Sequence, residues 1–417
     1  MMTLPKKIMT SVLLAAVFLL GVGVWVLSMS RNAVPQESAP VISIEGWVYT
    51  PIYVEWINEF ESKHPEYHIE VRTFRSPEQL FDELNAAISA NAAPQFAEVS
   101  GMYGIPQLAD SGMLLDLTRH FTEELWGQLH PALVSSFAYQ EGQWAMPLGG
   151  EVPVVYYNLN LLELAGIEET AIKDSAGMLQ AASKLTLSPR GNASSEKWGL
   201  AVDREVPWYL INWANSYNGS ALSDARWEKA ILLWHELVFG EQQVMKRLQH
   251  HLAASDFVNG QVAMLISSSG KLPMLSQYIG GKFSFAWQPL PLLGEPQQAR
   301  YTANAKGMAL LPSQPDKVEA AKQLLAFLME SEAQGDLLQS GGQLPAHEAF
   351  LAEFADGGLS PMSETLLSVR DRLRQAPPDS SQLMLWHRLM EISEQVELNE
   401  ELDIKQQVRS LLRLSSE

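Results

Sequence analysis

Cysteine is absent from the 417 residues, which excludes disulfide staples and thiolate metal sites. A lipid-modified N-terminus is excluded on the same ground, because that route needs a cysteine at the end of the apolar export segment. Basic side chains are scarce: 29 Lys and Arg against 48 Asp and Glu give a formal charge of −19. No Lys/Arg cluster offsets that excess, and phosphate binding needs a concentrated positive field, so nucleic acid is a poor partner. Metal and catalytic signatures are equally sparse. His250 and His251 are adjacent and cannot share a helix face, and His64 and His68 straddle Pro65, so neither makes a helical metal pair. No HExxH, P-loop, GxSxG or dinucleotide fingerprint occurs. No catalytic residue, metal or cofactor is expected. A carboxylate pair of the glycosidase kind can still hide among so many acids, since spacing in sequence does not give spacing in space.

What is present starts with an address. Lys6 and Lys7 precede an uncharged run, residues 8–30. This run is longer than the usual ~7–15-residue signal core and long enough for a ~30 Å bilayer. "SMS" before Arg31 is a poor cleavage site. Residues 1–31 therefore read as a signal peptide or, as the favoured alternative, an uncleaved signal anchor with its lysines inside. Residues 32–40, "NAVPQESAP", read as a tether. The expected place is extracytoplasmic, in the periplasm or at the cell surface, held to the cytoplasmic membrane. An apolar fraction of 47% with 18% charged residues is ordinary for a globular chain, and the length suits about two domains.

After the tether, "VISIEGWVY" alternates as a half-buried strand and "TPIYVEWINEFESKHP" follows as an amphipathic helix stopped at His64–Pro65. "HIEVRTF" is a second strand. "SPEQLFDELNAAISANAAP" is a second helix with Ser76 as N-cap and Pro77 in its first turn, and "QFAEVS" is a third strand. This order predicts a βαβ layer with a largely parallel sheet. Ligands of such sheets lie beyond the C-terminal strand ends, here Trp47–Tyr49, Phe74–Arg75 and Ser100–Tyr103. Further strands are predicted at "VPVVYYN", "WGLAVD", "VAMLIS", "FSFAWQPLP" and "GMALLP", with a mostly helical chain from about Lys317 onward. Aromatic side chains cluster at strand ends and loops, among them Trp47, Tyr49, Tyr103 and Trp208. Flat rings with nearby amides and carboxylates suit polyhydroxylated ligands. For any single tryptophan, core packing is the commoner alternative.

Six segments, in order, carry a resemblance. They are "WINEFESKHPEYHIEVRTF", "AAISANAAPQFAEVSGMYGIPQLADSGMLLDLT", "GQWAMPLGGEVPVVYYNLNLLELAGI", "FVNGQVAMLISSSG", "KVEAAKQLLAFLMESEAQ" and "GGQLPAHEAF". From Val41 to about Glu401 the chain resembles the extracellular solute-binding proteins of ABC importers, in the branch that takes sugars, oligosaccharides and glycerol-phosphate-type ligands. The resemblance implies an α/β, two-lobed periplasmic-binding-protein-like fold of type II, each lobe a mixed sheet flanked by helices, joined by hinge crossings. It implies lobe 1 at 41–153 plus about 304–355, and lobe 2 at about 154–303 plus 356–417. "LGGEVPVVYYN" would be the first crossing, with a return near Tyr301–Lys306. The implied work is capture of a carbohydrate-like solute (sugar, oligosaccharide or polyol phosphate) and delivery to ABC permease subunits by a monomer, with no bond made or broken. The expected ligand contacts are Trp47, Tyr49, Glu83, Tyr103, Trp208, Ser269 and Asn304. Among these, Glu83 would accept ligand hydroxyls and Trp208 would stack from lobe 2, projecting into the cleft.

Departures from the family pattern stand at Gln95–Phe96 where Asp is common, at Ala303–Gly307 in place of a Gly-Gly pair, and at Lys271 where an aromatic often follows the glycine. A sensory adaptor of the same fold, feeding a membrane sensor kinase, is the rival that genomic neighbours would separate. A glycan-acting enzyme is the rival that a hydrolysis assay would separate.

Overall fold

The computed structural model describes residues 40–187, 197–215, 224–241, 243–294, 300–350, 360–375 and 377–414. The expected signal anchor, residues 1–31, and nearly all of the tether lie outside the described residues. Among the described residues no helix is long and apolar enough to cross a membrane.

The N-terminal layer forms where periodicity places it. β1 (Ile42–Val48) leads into the helix Pro51–Lys63, then β2 (Tyr67–Thr73), the helix Pro77–Ser89 and β3 (Phe96–Ser100). The first helix buries Tyr53, Trp56, Ile57 and Phe60 along one stripe and ends at His64 before Pro65. The second starts where the Ser76 hydroxyl accepts the Gln79 amide at 3.2 Å, with Pro77 in its first turn.

A short hairpin, β4 (Ala138–Tyr139) with β5 (Gly142–Gln143), precedes β6 (Met146–Glu151) and β7 (Pro153–Asn158). Then come β8 (Trp198–Val202), β9 (Val262–Ser268), β10 (Phe285–Pro289), β11 (Asn304–Leu310) and β12 (Leu344–Pro345). Two main sheets result, one in the order β12-β6-β11-β3-β1-β2 and the other β10-β7-β9-β8. β1 and β3 run parallel. β11, however, pairs antiparallel with both β3 and β6, so the first sheet is mixed, as the family resemblance implies, and not the largely parallel one that strand–helix alternation alone predicts. The second sheet is mixed as well, with β7 antiparallel to β9 and β10 and β8 parallel to β9.

The chain passes between the sheets at two informative places. β6 belongs to the first sheet and β7 to the second, with Val152 alone between them. Both backbone groups of Val152 are held by one residue: its N–H donates to Ser269 Oγ at 3.0 Å, and its carbonyl accepts the Ser269 amide at 2.9 Å. The run "LGGEVPVVYYN" thus changes sheets in its middle, and helix period begins only where β7 ends, with Asn158 Oδ1 accepting the Leu161 amide at 3.1 Å to cap the helix Leu159–Leu164. The second passage runs from β10 to β11 through Tyr301 and Thr302. There the Thr302 amide donates to Asn212 Oδ1 at 2.9 Å. Near the C-terminus, the helices Gln382–Leu398 and Ile404–Leu414 pack against the helix Asp224–Phe239, and the first of them also against Val206–Ala214.

Candidate functional site

Glu98 lies in the middle of a strand whose five residues are all buried, where an unpaired carboxylate would be costly. It is instead fully bonded. The Tyr49 and Thr50 amides donate to Glu98 Oε2 at 2.7 and 2.8 Å, and the Thr50 hydroxyl donates to Oε1 at 2.5 Å. Thr50 is the N-cap of the first helix and makes no side-chain cap of its own. The Glu98 carboxylate therefore sits at the positive end of that helix and accepts the amides of the two residues that lead into it. Burial pushes Glu98 up, against Lys306 and these hydrogen bonds, and the net is above the ordinary carboxylate value.

Lys306, on β11, joins this group to a second carboxylate. Its ammonium is 2.5 Å from Glu151 Oε1, donates to Thr50 Oγ1 at 3.1 Å, and stands 5.3 Å from the centre of the Tyr49 ring. Glu151 ends β6 and accepts the hydroxyl of Ser268, the last residue of β9, at 2.6 Å. One carboxylate thus ties the first sheet to the second. Burial pushes Glu151 up, but Lys306 and the Ser268 hydroxyl pull it further down, below its ordinary value. Gly270 is required here, because a Cβ would fall 2.1 Å from Glu151 Oε1. Gly342, at φ +64°, is held to glycine twice over, since a Cβ there would also lie 2.2 Å from the Ser269 carbonyl.

On the second-sheet side the belt continues through Asp203, Glu205, Ser267, Tyr209 and Lys271. Ser267 donates to Asp203 Oδ2 at 2.8 Å, and the Tyr209 hydroxyl donates to Glu205 Oε2 at 3.3 Å. Burial, then the neighbouring Asp203 charge, pushes Glu205 up to about 7. Burial would lower the Lys271 ammonium, but Glu205, Asp203 and Glu151 more than offset it, so Lys271 lies above its ordinary value. The result is a strip of alternating carboxylates, hydroxyls and two ammonium groups across the seam between the sheets.

The expected contact residues divide around this strip. Tyr49 lies on it, against Lys306. Asn304 pairs in register with Glu151, and its Oδ1 accepts the Ser100 hydroxyl at 3.0 Å. Ser269 holds Val152 at the crossing. Three others stand apart. Trp47 donates its indole N–H to Glu45 at 2.6 Å and lies under the Arg72 guanidinium, 4.7 Å from the ring centre. Tyr103 is enclosed by Phe81, Trp386 and His387, its hydroxyl 3.3 Å from His387 Nε2. Glu83 was expected in a closed cleft, but its side chain is 44% exposed and forms an ion pair with Arg72 at 3.0 Å. Exposed pairs contribute little, so Glu83→Ala should change unfolding free energy by no more than about 1 kcal/mol. A larger loss in urea denaturation would show that the pair holds more than a surface contact.

Trp208 also stands otherwise than expected. It does not project from a loop. Pro207 opens a helix, Val206–Ala214, in which all nine residues are buried, and Trp208 itself is 0% exposed. Its indole N–H donates to the Thr302 carbonyl at 2.8 Å, so in this structure it braces the second crossing. The charged members of the strip went unpredicted. A signal for them exists in retrospect: Glu98 in "FAEVS", Glu151 in "LGGEVPVV" and Lys306 in "NAKGMALL" are single charges inside otherwise apolar strands. Such a charge needs a buried partner. Lys271 and Lys306 both fall at departures from the family pattern.

Two mixed α/β lobes joined by strand crossings, with a polar strip at the seam, define the class of two-lobed periplasmic-type binding proteins. Over residues 55–357 the chain matches the family described as bacterial extracellular solute-binding protein, and it belongs to that family. Among solved structures, an ABC transporter solute-binding protein from Thermotoga lettingae bound with alpha-D-tagatose is 17% identical with a TM-score of 0.76, covering 90% of this chain and 99% of that one. The maltose/maltodextrin-binding domain MalE from Bdellovibrio bacteriovorus, bound to maltotriose, is 15% identical with a TM-score of 0.74, covering 90% and 99%. An ABC substrate-binding protein from Listeria monocytogenes in complex with cycloalternan is 20% identical with a TM-score of 0.72, again covering 90% and 99%. Sequence comparison with curated proteins gives no match.

Proposed function

We propose that this protein captures a carbohydrate-like solute between its lobes, outside the cytoplasm, and delivers it to the permease of an ABC importer. The observation that carries the reading is the strip from Glu98 through Lys306, Glu151 and Ser268 to Lys271 and Glu205, which crosses from one sheet to the other beside the Val152 crossing. Groups of both signs on both lobes give a hydroxyl-rich ligand donors and acceptors to bind at once. Sugar ligands in the similar structures support the same reading. Lobe 1 is taken as 41–153 with about 304–355, lobe 2 as about 154–303 with 356–417. Closure about the crossings sequesters the ligand. The chain acts as a monomer without catalytic turnover, and the N-terminal segment tethers it to the membrane.

A thermal-shift series with D-tagatose, maltotriose and related sugars tests the reading. A sugar held only by the folded state at 100 times its Kd adds about 2.7 kcal/mol of stability. The binding sugar should also reduce the radius of gyration in small-angle scattering. A stabilising sugar that leaves the radius unchanged would remove lobe closure from this account.

A further inference from the structure

The turn after β3, continued by the short helix Ile105–Asp110, leaves the first sheet and meets the far C-terminal part of the chain. That part belongs with the second sheet, because the helix Gln382–Leu398 packs on Val206–Ala214 and Asp224–Phe239, the helices between β8 and β9. Four polar contacts join the two sides. Gln382 Nε2 donates to the Gly101 carbonyl at 2.8 Å, and Gln107 Nε2 donates to the Ser380 carbonyl at 3.2 Å. The Tyr103 hydroxyl is 3.3 Å from His387 Nε2. Gln375 Nε2 faces the Met102 sulfur, a weak acceptor, at 3.9 Å. Beneath them the buried rings of Tyr103 and Trp386 meet edge-on, with centroids 5.8 Å apart.

These contacts fall short in one consistent way. Gln107, Gln375 and Gln382 each spend their NH2 group across the seam. Among the described residues, each leaves its Oε1 buried without a partner. A buried acceptor lacking a donor costs about as much as a hydrogen bond contributes. Separation would return all three oxygens to water, so bonding and desolvation nearly balance.

We propose that Gly101 to Gln107 on one side, with Gln375 and Ser380 to His387 on the other, form a latch that holds the lobes together before a solute arrives. The latch rests on the solute-binding reading above and adds a ligand-free closed state to it. Its bonds exist only while the two sides touch, and its unsatisfied oxygens let it release. A solute then acts on an equilibrium that the chain already populates.

The experiment reads lobe separation in the full chain, held in a detergent micelle, with no solute present. Since the chain has no cysteine, spin labels at Leu164→Cys and Glu332→Cys meet no competing thiol. Leu164, on the helix after β7, is 85% exposed. The Glu332 side chain is 79% exposed on a helix packed against β12 and β6. Double electron–electron resonance should give one dominant distance in the labelled parent. Gln382→Glu with Gln107→Glu sets a carboxylate against each accepting carbonyl at unchanged size. It should move about half or more of the population to a second distance, as expected of a nearly balanced equilibrium. Tyr103→Phe deletes one hydroxyl, keeps the ring, and should move a smaller share. It carries the test where the double variant does not fold. A single unchanged distance in the variants overturns the latch, and so does a parent already divided between the two distances as they are. Either result leaves the solute-binding reading standing, because the sugar series decides that separately.

Discussion

Lys306→Met should lose about 3–5 kcal/mol of stability at pH 7, the usual cost of stranding a buried charge. Met keeps the length of the stem and removes only the ammonium, so packing loss is small. What remains is Glu151, 7% exposed, with the Ser268 hydroxyl alone, and Glu98, 0% exposed, without its nearby cation. The pH dependence follows from the depressed Glu151 value. A carboxylate held below its unfolded value of ~4.3 contributes stability above that pH and loses it as pH falls through the folded value. The deficit of Lys306→Met should therefore be large at pH 7 and shrink as pH falls below about 4, towards about pH 3. The double variant Lys306→Met, Glu151→Gln should recover a substantial part of it. Denaturant unfolding at the two pH values checks this, and a pH-independent deficit would mean lost packing.

His250 should produce the opposite slope. Its Nδ1 faces the Val202 carbonyl at 2.9 Å and its Nε2 faces Glu397 Oε1 at 2.8 Å. Both partners are acceptors, so the ring satisfies both only as imidazolium. Burial lowers its pKa, but the Glu397 hydrogen bond and charge and the Val202 carbonyl more than offset this, and the net is raised. A raised folded value gives stability that is fully present below the unfolded ~6.5 and is lost as pH rises through the folded value. The parent should thus be more stable at pH 6 than at pH 9. Glu397 is 0% exposed and, among the described residues, otherwise accepts the Leu248 amide alone. His250→Leu should accordingly cost about 3–5 kcal/mol at pH 6 and flatten the slope. A variant that keeps the parent's pH 6 to 9 difference would assign that slope to other groups.

The strands were legible because their evidence is local. "HIEVRTF", "VPVVYYN" and "WGLAVD" carry their own periodicity, and Ser76–Pro77 announces a helix start within two residues. The antiparallel insertion of β11 was not legible, because nothing in "NAKGMALL" names its neighbours. The same limit separates the two views of the site. Trp208 looked like a loop aromatic after "LAVDREVP", yet Val206 to Ala214 are buried throughout, and that depends on helices from the far C-terminus packing over them. Glu83 looked like a cleft carboxylate until Arg72, eleven residues earlier, claimed it. Glu98, Glu151, Lys306 and Lys271 were visible only as odd charges. Their pairing joins positions that are hundreds of residues apart, which single-sequence periodicity does not encode.

The placement of β11 also sets an order of assembly. It lies between β6 and β3 at the centre of the first sheet, yet Lys306 meets Ser100 across a separation on the order of two hundred residues, a long loop to close. The strands of the second sheet, by contrast, all fall between Pro153 and Pro289. As the chain lengthens from its N-terminus, the second sheet can be complete while the first still has a gap at its middle. Its two halves then wait with open edges, β3 on one side and β6 on the other, which are templates for wrong pairing. A newborn chain of this topology therefore keeps its first sheet open until its last stretch, from Asn304 onward, arrives, and truncation before Asn304 removes both that sheet's central strand and the C-terminal helices that cover Val206–Ala214.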